Sequence, residues 1–185
     1  WKFLTPDEFE LIMHGKKKLF QDSLLLTFDD GTISNFHVAC KILKKLNIKA
    51  VFFIVTEYSL LHDTDNWQKF ANLNINLKEA SFKLNENFKN MGLIELKELI
   101  NQGHTIGGHT KTHKRVSNLT ANELVDEIIF GTDKLESMLD IKIKHFAYPF
   151  GNFESISNPA SKIAKDKFNC VYTGMRGDNM KYMNN

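Results

Sequence analysis

The sequence predicts an α/β chain of repeating strand-then-helix units, arranged as in a (β/α) barrel. Three observations carry the prediction. Apolar runs of strand length recur at residues 24–28, 50–55, 104–107, 143–148 and 169–173. Segments of helical period alternate with them, and strand–helix–strand with short connections implies a parallel sheet. Finally, the acids and histidines that could carry chemistry follow strand ends, the rim where active residues of such barrels gather.

The 185 residues, 42% of them hydrophobic, suffice for one well-formed core and are read as a single domain. The 24 basic and 22 acidic residues nearly cancel, so neither a nucleic acid nor a membrane surface is expected as a partner. No run approaches the roughly 20 apolar residues of a membrane span. Cys40 and Cys170 lie in apolar contexts and leave a disulfide open, with two buried thiols as the expected state. Oligomeric state is not encoded in any motif.

Thr5-Pro6-Asp7-Glu8 reads as a helix start, with a cap, proline in the first turn and then acids. Phe9, Leu11, Ile12 and Met13 are expected to face inward before Gly15, and lysines 16–18 to form a solvated turn. Leu24-Leu25-Leu26-Thr27-Phe28 reads as a strand buried on both faces. Ile33, Phe36, Cys40, Leu43 and Leu46 then recur at helical spacing, with Asn47 as the stop. Residues 50–55 form the second strand. Residues 56–90, rich in Asn, Lys and Asp, break the rhythm and are read as an insertion, its Trp67, Phe70, Phe82 and Phe88 anchoring it to the core or shaping a cleft. A helix at 92–102 is closed by Gly103, and a short strand at 104–107 follows. Thr120-x-x-Glu123 is a capping box opening a helix to about residue 139. A strand at 143–148, a helix near 159–167 and a strand at 169–173 complete the elements.

Two stretches carry chemistry. Asp29 and Asp30 sit side by side at a strand end, where two like charges need a cation or a shared proton. His109 and His113, four residues apart, would fall on one face of a helical turn and could hold one metal. Two histidines and one aspartate match the ligand count of a catalytic zinc site with an open position, and leave one aspartate over.

Thr27-Phe28-Asp29-Asp30-Gly31, His109-Thr110-x-x-His113 and Phe146-Ala147-Tyr148-Pro149-Phe150-Gly151 together resemble three ordered motifs of the polysaccharide deacetylase family, the NodB-homology group of carbohydrate esterases. Lys49-Ala50-Val51-Phe52-Phe53 and the helix carrying Leu119, Thr120, Glu123 and Glu127 resemble it too, so the likeness covers residues 24–174. It implies a distorted (β/α)7 barrel and metal-dependent removal of N- or O-acetyl groups from a polysaccharide or glycan precursor. By motif position Asp30, His109 and His113 would hold Zn2+ or another divalent transition metal, and Asp29 would be the base that activates metal-bound water. The backbone N–H of Phe150 would stabilise the oxyanion, and Tyr148, Pro149 and Thr110 would contact substrate, Thr110 chiefly by orienting the loop. The same resemblance suggests a bacterial protein and leaves cytoplasm and cell envelope open.

Two departures from the family pattern stand out. Where many members carry an arginine that contacts the base, this chain has Ala147, which leaves Asp29 without a charged partner. No histidine follows His145 to serve as general acid, and Asp178 lacks the family's surrounding pattern. Since the chain also begins with Trp1 rather than Met, N- and C-terminal parts of the barrel are expected to lie outside it. His14, His37, His62, His104 and His145 default to structural or surface positions. Two alternatives remain beside the deacetylase: a non-catalytic carbohydrate-binding relative that keeps the metal site, and a hydrolase of small non-peptide C–N bonds on the same scaffold.

Overall fold

The structure, a computed structural model, describes residues 1–62, 64–75 and 86–177. Phe82 and Asp178 lie outside the described residues.

The first turn follows its sequence signals. Thr5 caps helix α1 (Pro6–Met13): its hydroxyl accepts the Glu8 N–H and the Glu8 carboxylate accepts the Thr5 N–H. Ile12 is buried, but Leu11, expected inside, is 42% exposed, since consecutive helical residues lie about 100° apart round the axis. Two very short strands, β1 (Lys2–Phe3) and β2 (Ser23–Leu24), pair in parallel and were not foreseen. They split the leucine run. Leu24 belongs to β2 and is half-exposed, whereas β3 (Leu26–Phe28) enters the main sheet.

That sheet is all-parallel and ordered β3-β4-β5-β6-β7, with β4 at Ala50–Ile54, β5 at Thr105–Gly108, β6 at His145–Ala147 and β7 at Cys170–Tyr172. Sequential strands are therefore spatial neighbours, as in a barrel wall, and five strands of the expected seven-unit barrel are present among the described residues. As the outer strand β3 is covered less than β4, so Leu26 and Phe28 are only partly buried rather than buried on both faces.

β4 is buried along its whole length, and its side chains alternate between two cores. Phe52 and Ile54 point to the helices, in a core with Leu96, Leu99, Leu124, Ile128, Leu135 and Phe146. Val51 and Phe53 point into the curl of the sheet, with Ala147, Leu25 and Tyr172.

Helix α2 (Ile33–Val38) runs through a π-helical turn (Ala39–Leu43) into α3 (Lys44–Leu46), and Asn47 ends it in the left-handed conformation at φ 52°. The wider π turn slips the helical phase, so Leu43 is buried but Leu46, on the expected apolar stripe, is exposed. The region 56–90 contributes α4 (Thr56–Ser59), α5 (Trp67–Asn74) and a 3-10 turn (Glu86–Phe88), with Trp67, Tyr58, Ala71 and Ile75 in a small core of their own. Helix α6 (Leu93–Asn101) packs Leu96 and Leu99. The capping box at Thr120 opens α7 (Ala121–Leu124), which passes through a second π turn (Val125–Phe130) into α8 (Gly131–Leu139). Helix α9 (Asn158–Lys167) covers β7. Both cysteines are free thiols, but only Cys170 is buried; Cys40, expected buried, is partly exposed.

Candidate metal centre

Each site residue follows the C-terminal end of a sheet strand: Asp29 and Asp30 follow β3, His109 follows β5, and Phe150 follows β6. Because β3, β4, β5 and β6 are sequential neighbours, these ends converge on one rim.

Asp30 Oδ1 lies 3.2 Å from His113 Nε2 and 3.5 Å from His109 Nε2. Donors bound about 2 Å from a tetrahedral zinc lie about 3.3 Å apart, so both carboxylate–imidazole distances fit such an ion. Their donor atoms all lie within 4.8 Å of one another.

The other face of each ring agrees. His109 Nδ1 is 2.8 Å from the Ala147 carbonyl, and His113 Nδ1 is 2.6 Å from the Asn74 carbonyl. A carbonyl only accepts, so each Nδ1 carries the proton and donates it, which leaves each Nε2 lone pair aimed at Asp30. A hydrogen bond from Nε2 to Asp30 would need a second proton on each ring, and a cation can take the place of both. Acting as charged donors, the two imidazoles would hold Asp30 well below the usual carboxylate range, outweighing the rise that burial gives, and a cation in place of their Nε2 protons would act in the same direction.

The expected helical turn at His109–His113 is absent. Residues 109–113 form an irregular turn in which Thr110 and His113 take φ of 62° and 64°. A left-handed β-branched residue is a backbone outlier, and such strain persists only where surroundings over-determine it. Here they do. The Thr110 hydroxyl accepts the His113 N–H at 3.0 Å, the Thr110 carbonyl accepts Thr56 N–H at 3.3 Å, and the Lys111 carbonyl accepts Glu57 N–H at 2.9 Å. Asp30 (φ 71°) and Phe150 (φ 63°) are left-handed too. Of the six described non-glycine residues at positive φ, only Asn47 and Asp140 lie elsewhere, both ending helices.

Asp29 adjoins Asp30, and its carboxyl is raised above the ordinary value by burial, with His109 opposing and Asp30 adding to the rise. Among the described residues no ion pair reaches it, in keeping with Ala147 at the arginine position. Phe150 presents its ring 5.0 Å from the His113 ring, with the Arg115 guanidinium 4.3 Å over its centre. Among the described residues nothing accepts the Phe150 N–H. Tyr148 and Pro149 are buried, and the Tyr148 hydroxyl points toward the Ala160 carbonyl, 3.5 Å away. A cavity of about 160 Å³ opens beside Asp29, walled by Phe53, Ala147, Tyr148 and Tyr172.

Of the remaining histidines, His14 and His37 are exposed at the surface and the other three are structural. His104, at the opposite end of β5, accepts the Ala50 N–H at its Nδ1. His145 pairs with the Tyr172 hydroxyl inside the curl, and His62 with the Asn90 carbonyl. Sequence reasoning missed the carbonyls of Ala147 and Asn74, because a backbone acceptor leaves no mark in residue type.

Comparison with known proteins bears on family and fold. YxkH of Bacillus subtilis (strain 168) is 26% identical over 153 residues, spanning 83% of this chain and 46% of the relative. The peptidoglycan-N-acetylglucosamine deacetylase of Bacillus cereus is 30% identical over 129 residues, spanning 68% of this chain and 35% of the relative. The chain thus spans less than half the length of these curated relatives. In fold it is similar to the Streptococcus pyogenes deacetylase PplD, solved with acetate, at a TM-score of 0.73 and 22% identity over 95% of this chain and 66% of that one. The family model for polysaccharide deacetylase matches residues 16–167, most of the sequence and strands β3 to β6 of the main sheet, and the chain therefore belongs to the polysaccharide deacetylase family.

Proposed function

We propose that this chain is a single deacetylase domain that removes acetyl groups from an N-acetylated glycan by a metal-dependent hydrolysis. The observation that carries the reading is the convergence of Asp30, His109 and His113, with both imidazoles oriented by backbone carbonyls, beside a further carboxylate at Asp29. Zn2+ or another divalent transition metal held there supplies Lewis acidity toward the acetyl carbonyl and lowers the pKa of water.

The chain's own groups do the rest. Asp29 takes the proton from the attacking water and returns it to the departing amine nitrogen as the C–N bond breaks; burial makes its carboxylate a stronger base, and a neighbouring cation would keep it ionised beforehand. The Phe150 N–H donates to the oxyanion that develops as the carbonyl becomes tetrahedral. The small cavity walled by Phe53, Ala147 and Tyr172 suits the acetyl methyl. Tyr148, which lines that cavity, and the adjacent Pro149 are assigned to the substrate side by motif position, and Thr110 keeps the ligand turn in place. The Bacillus cereus relative acts on peptidoglycan N-acetylglucosamine, which makes that sugar the first substrate to try.

The test is acetate release from N-acetylglucosamine oligomers and peptidoglycan by the zinc-loaded chain and by Asp29→Asn. Removing a general base should slow release by about 10²- to 10⁴-fold while zinc content stays at the wild-type level. Undiminished release by Asp29→Asn would exclude Asp29 as the base. Glycan binding without release by zinc-loaded wild type would instead favour a carbohydrate-binding relative.

A further inference from the structure

Glu127 is a carboxylate with 1% exposure, on the π turn between α7 and α8, and nothing in the proposed chemistry uses it. Its partners all belong to the turn that carries the two histidines. Oε2 accepts the Thr112 N–H at 2.8 Å and Oε1 accepts the Thr112 hydroxyl at 2.6 Å. The Lys114 ammonium lies 3.3 Å from Oε1, and the Glu127 backbone carbonyl accepts the Lys111 N–H at 2.8 Å. One buried residue thus grips Lys111, Thr112 and Lys114, three of the four residues between and just after His109 and His113.

We propose that Glu127 is a positioning residue for metal binding: it clamps the His109–His113 turn in the strained conformation that aims both Nε2 atoms at one point. The inference rests on the metal reading above. Two features argue for a clamp rather than general packing. The turn's two left-handed residues, Thr110 and His113, flank the gripped pair, so holding Lys111 and Thr112 holds the strained backbone on both sides. The grip is also doubly specified, because main chain and side chain of Glu127 act together. A buried carboxylate that receives two hydrogen bonds and an ammonium is costly to remove from one side only. Groups one step behind metal ligands commonly influence affinity by about 10- to 100-fold.

Zinc affinity of the full chain, measured by competition with a chromophoric chelator, tests this alongside thermal unfolding of the metal-free protein. Glu127→Gln keeps shape and one acceptor oxygen but removes the charge that faces Thr112 and Lys114; Glu127→Ala removes the clamp. Glu136→Gln is the control: it removes the other buried carboxylate of the same helical stretch, which receives the Ile143 N–H at 2.8 Å away from the ligand turn. Both Glu127 variants are expected to bind zinc about 10- to 100-fold more weakly. Glu136→Gln should lower the unfolding temperature and keep wild-type affinity. Thr112→Val, lacking only the hydroxyl donor, should fall between and decides the matter if Glu127→Ala does not fold. Wild-type zinc affinity in Glu127→Gln and Thr112→Val would overturn the proposal. Failure of wild type itself to bind zinc would remove the metal reading, and the clamp with it.

Discussion

His113 Nδ1 and the Asn74 carbonyl lie 2.6 Å apart, which ties a candidate metal ligand to the last residue of helix α5. The C-terminal carbonyls of a helix lack intrahelical partners and carry its negative dipole end. A ring N–H is a fitting partner, and the bond selects the tautomer that frees Nε2.

Loosening α5 should therefore weaken metal binding without dismantling the main core. Trp67→Ala removes an anchor of the small core formed with Val55, Tyr58, Ala71 and Ile75, which is separate from the principal one. Amides of residues 67–75 are expected to exchange faster while those of β4 keep their protection, and zinc affinity should drop by about tenfold. Hydrogen exchange with and without zinc checks both.

Zinc should stabilise the folded chain through its ligands. At a free concentration 100 times the dissociation constant, binding adds about 2.7 kcal/mol. For a domain of this size that raises the unfolding temperature by about 5–10 °C. The rise should disappear in His109→Ala, which calorimetry with and without zinc would show.

Gly131→Ala should destabilise, although alanine is the better helix former by about 1 kcal/mol. A Cβ there would lie 2.8 Å from Lys111 Cβ and 3.0 Å from Lys111 N. The turn cannot retreat freely, because the Lys111 N–H is bonded to the Glu127 carbonyl. Overpacking of this kind costs about 1–3 kcal/mol, so the net loss should be about 1 kcal/mol. Urea unfolding of the metal-free proteins measures it, and a variant more stable than wild type would show that the turn yields.

Stability should fall between pH 7 and pH 5 through His104. Burial, reinforced by Lys49, lowers this imidazole from 6.5 to about 4. In that window the unfolded chain binds more protons than the folded one, so stability rises with pH. The contribution is fully present above pH 6.5, diminishes as pH falls below it, and is gone near pH 4. By pH 5 the loss is on the order of 2 kcal/mol. His104→Asn, whose side-chain oxygen can still accept the Ala50 N–H, should show a shallower pH dependence of the unfolding midpoint.

The residues themselves determined the elements and the identity of the site's side chains. Thr5 and Thr120 cap helices because their hydroxyls reach a backbone N–H three residues on, and Asn47 ends one because it tolerates the left-handed conformation. These are local interactions, legible in a few adjacent letters. Asp29, Asp30, His109 and His113 were legible because chemistry restricts which side chains can bind a cation or carry a proton. Only the tertiary structure decided how they are held. The ligand turn is no helix; Thr110 and His113 adopt strained angles because Thr56, Glu57 and Glu127, distant in sequence, bond to it. The carbonyls of Ala147 and Asn74 choose the tautomers, and every residue type has a carbonyl. The phase slips at the two π turns, which exposed Leu46 and aimed Glu127, likewise arise where helix and sheet must fit together. Local propensity speaks over one or two turns of chain, whereas strain and long-range backbone bonds exist only once the strands have assembled.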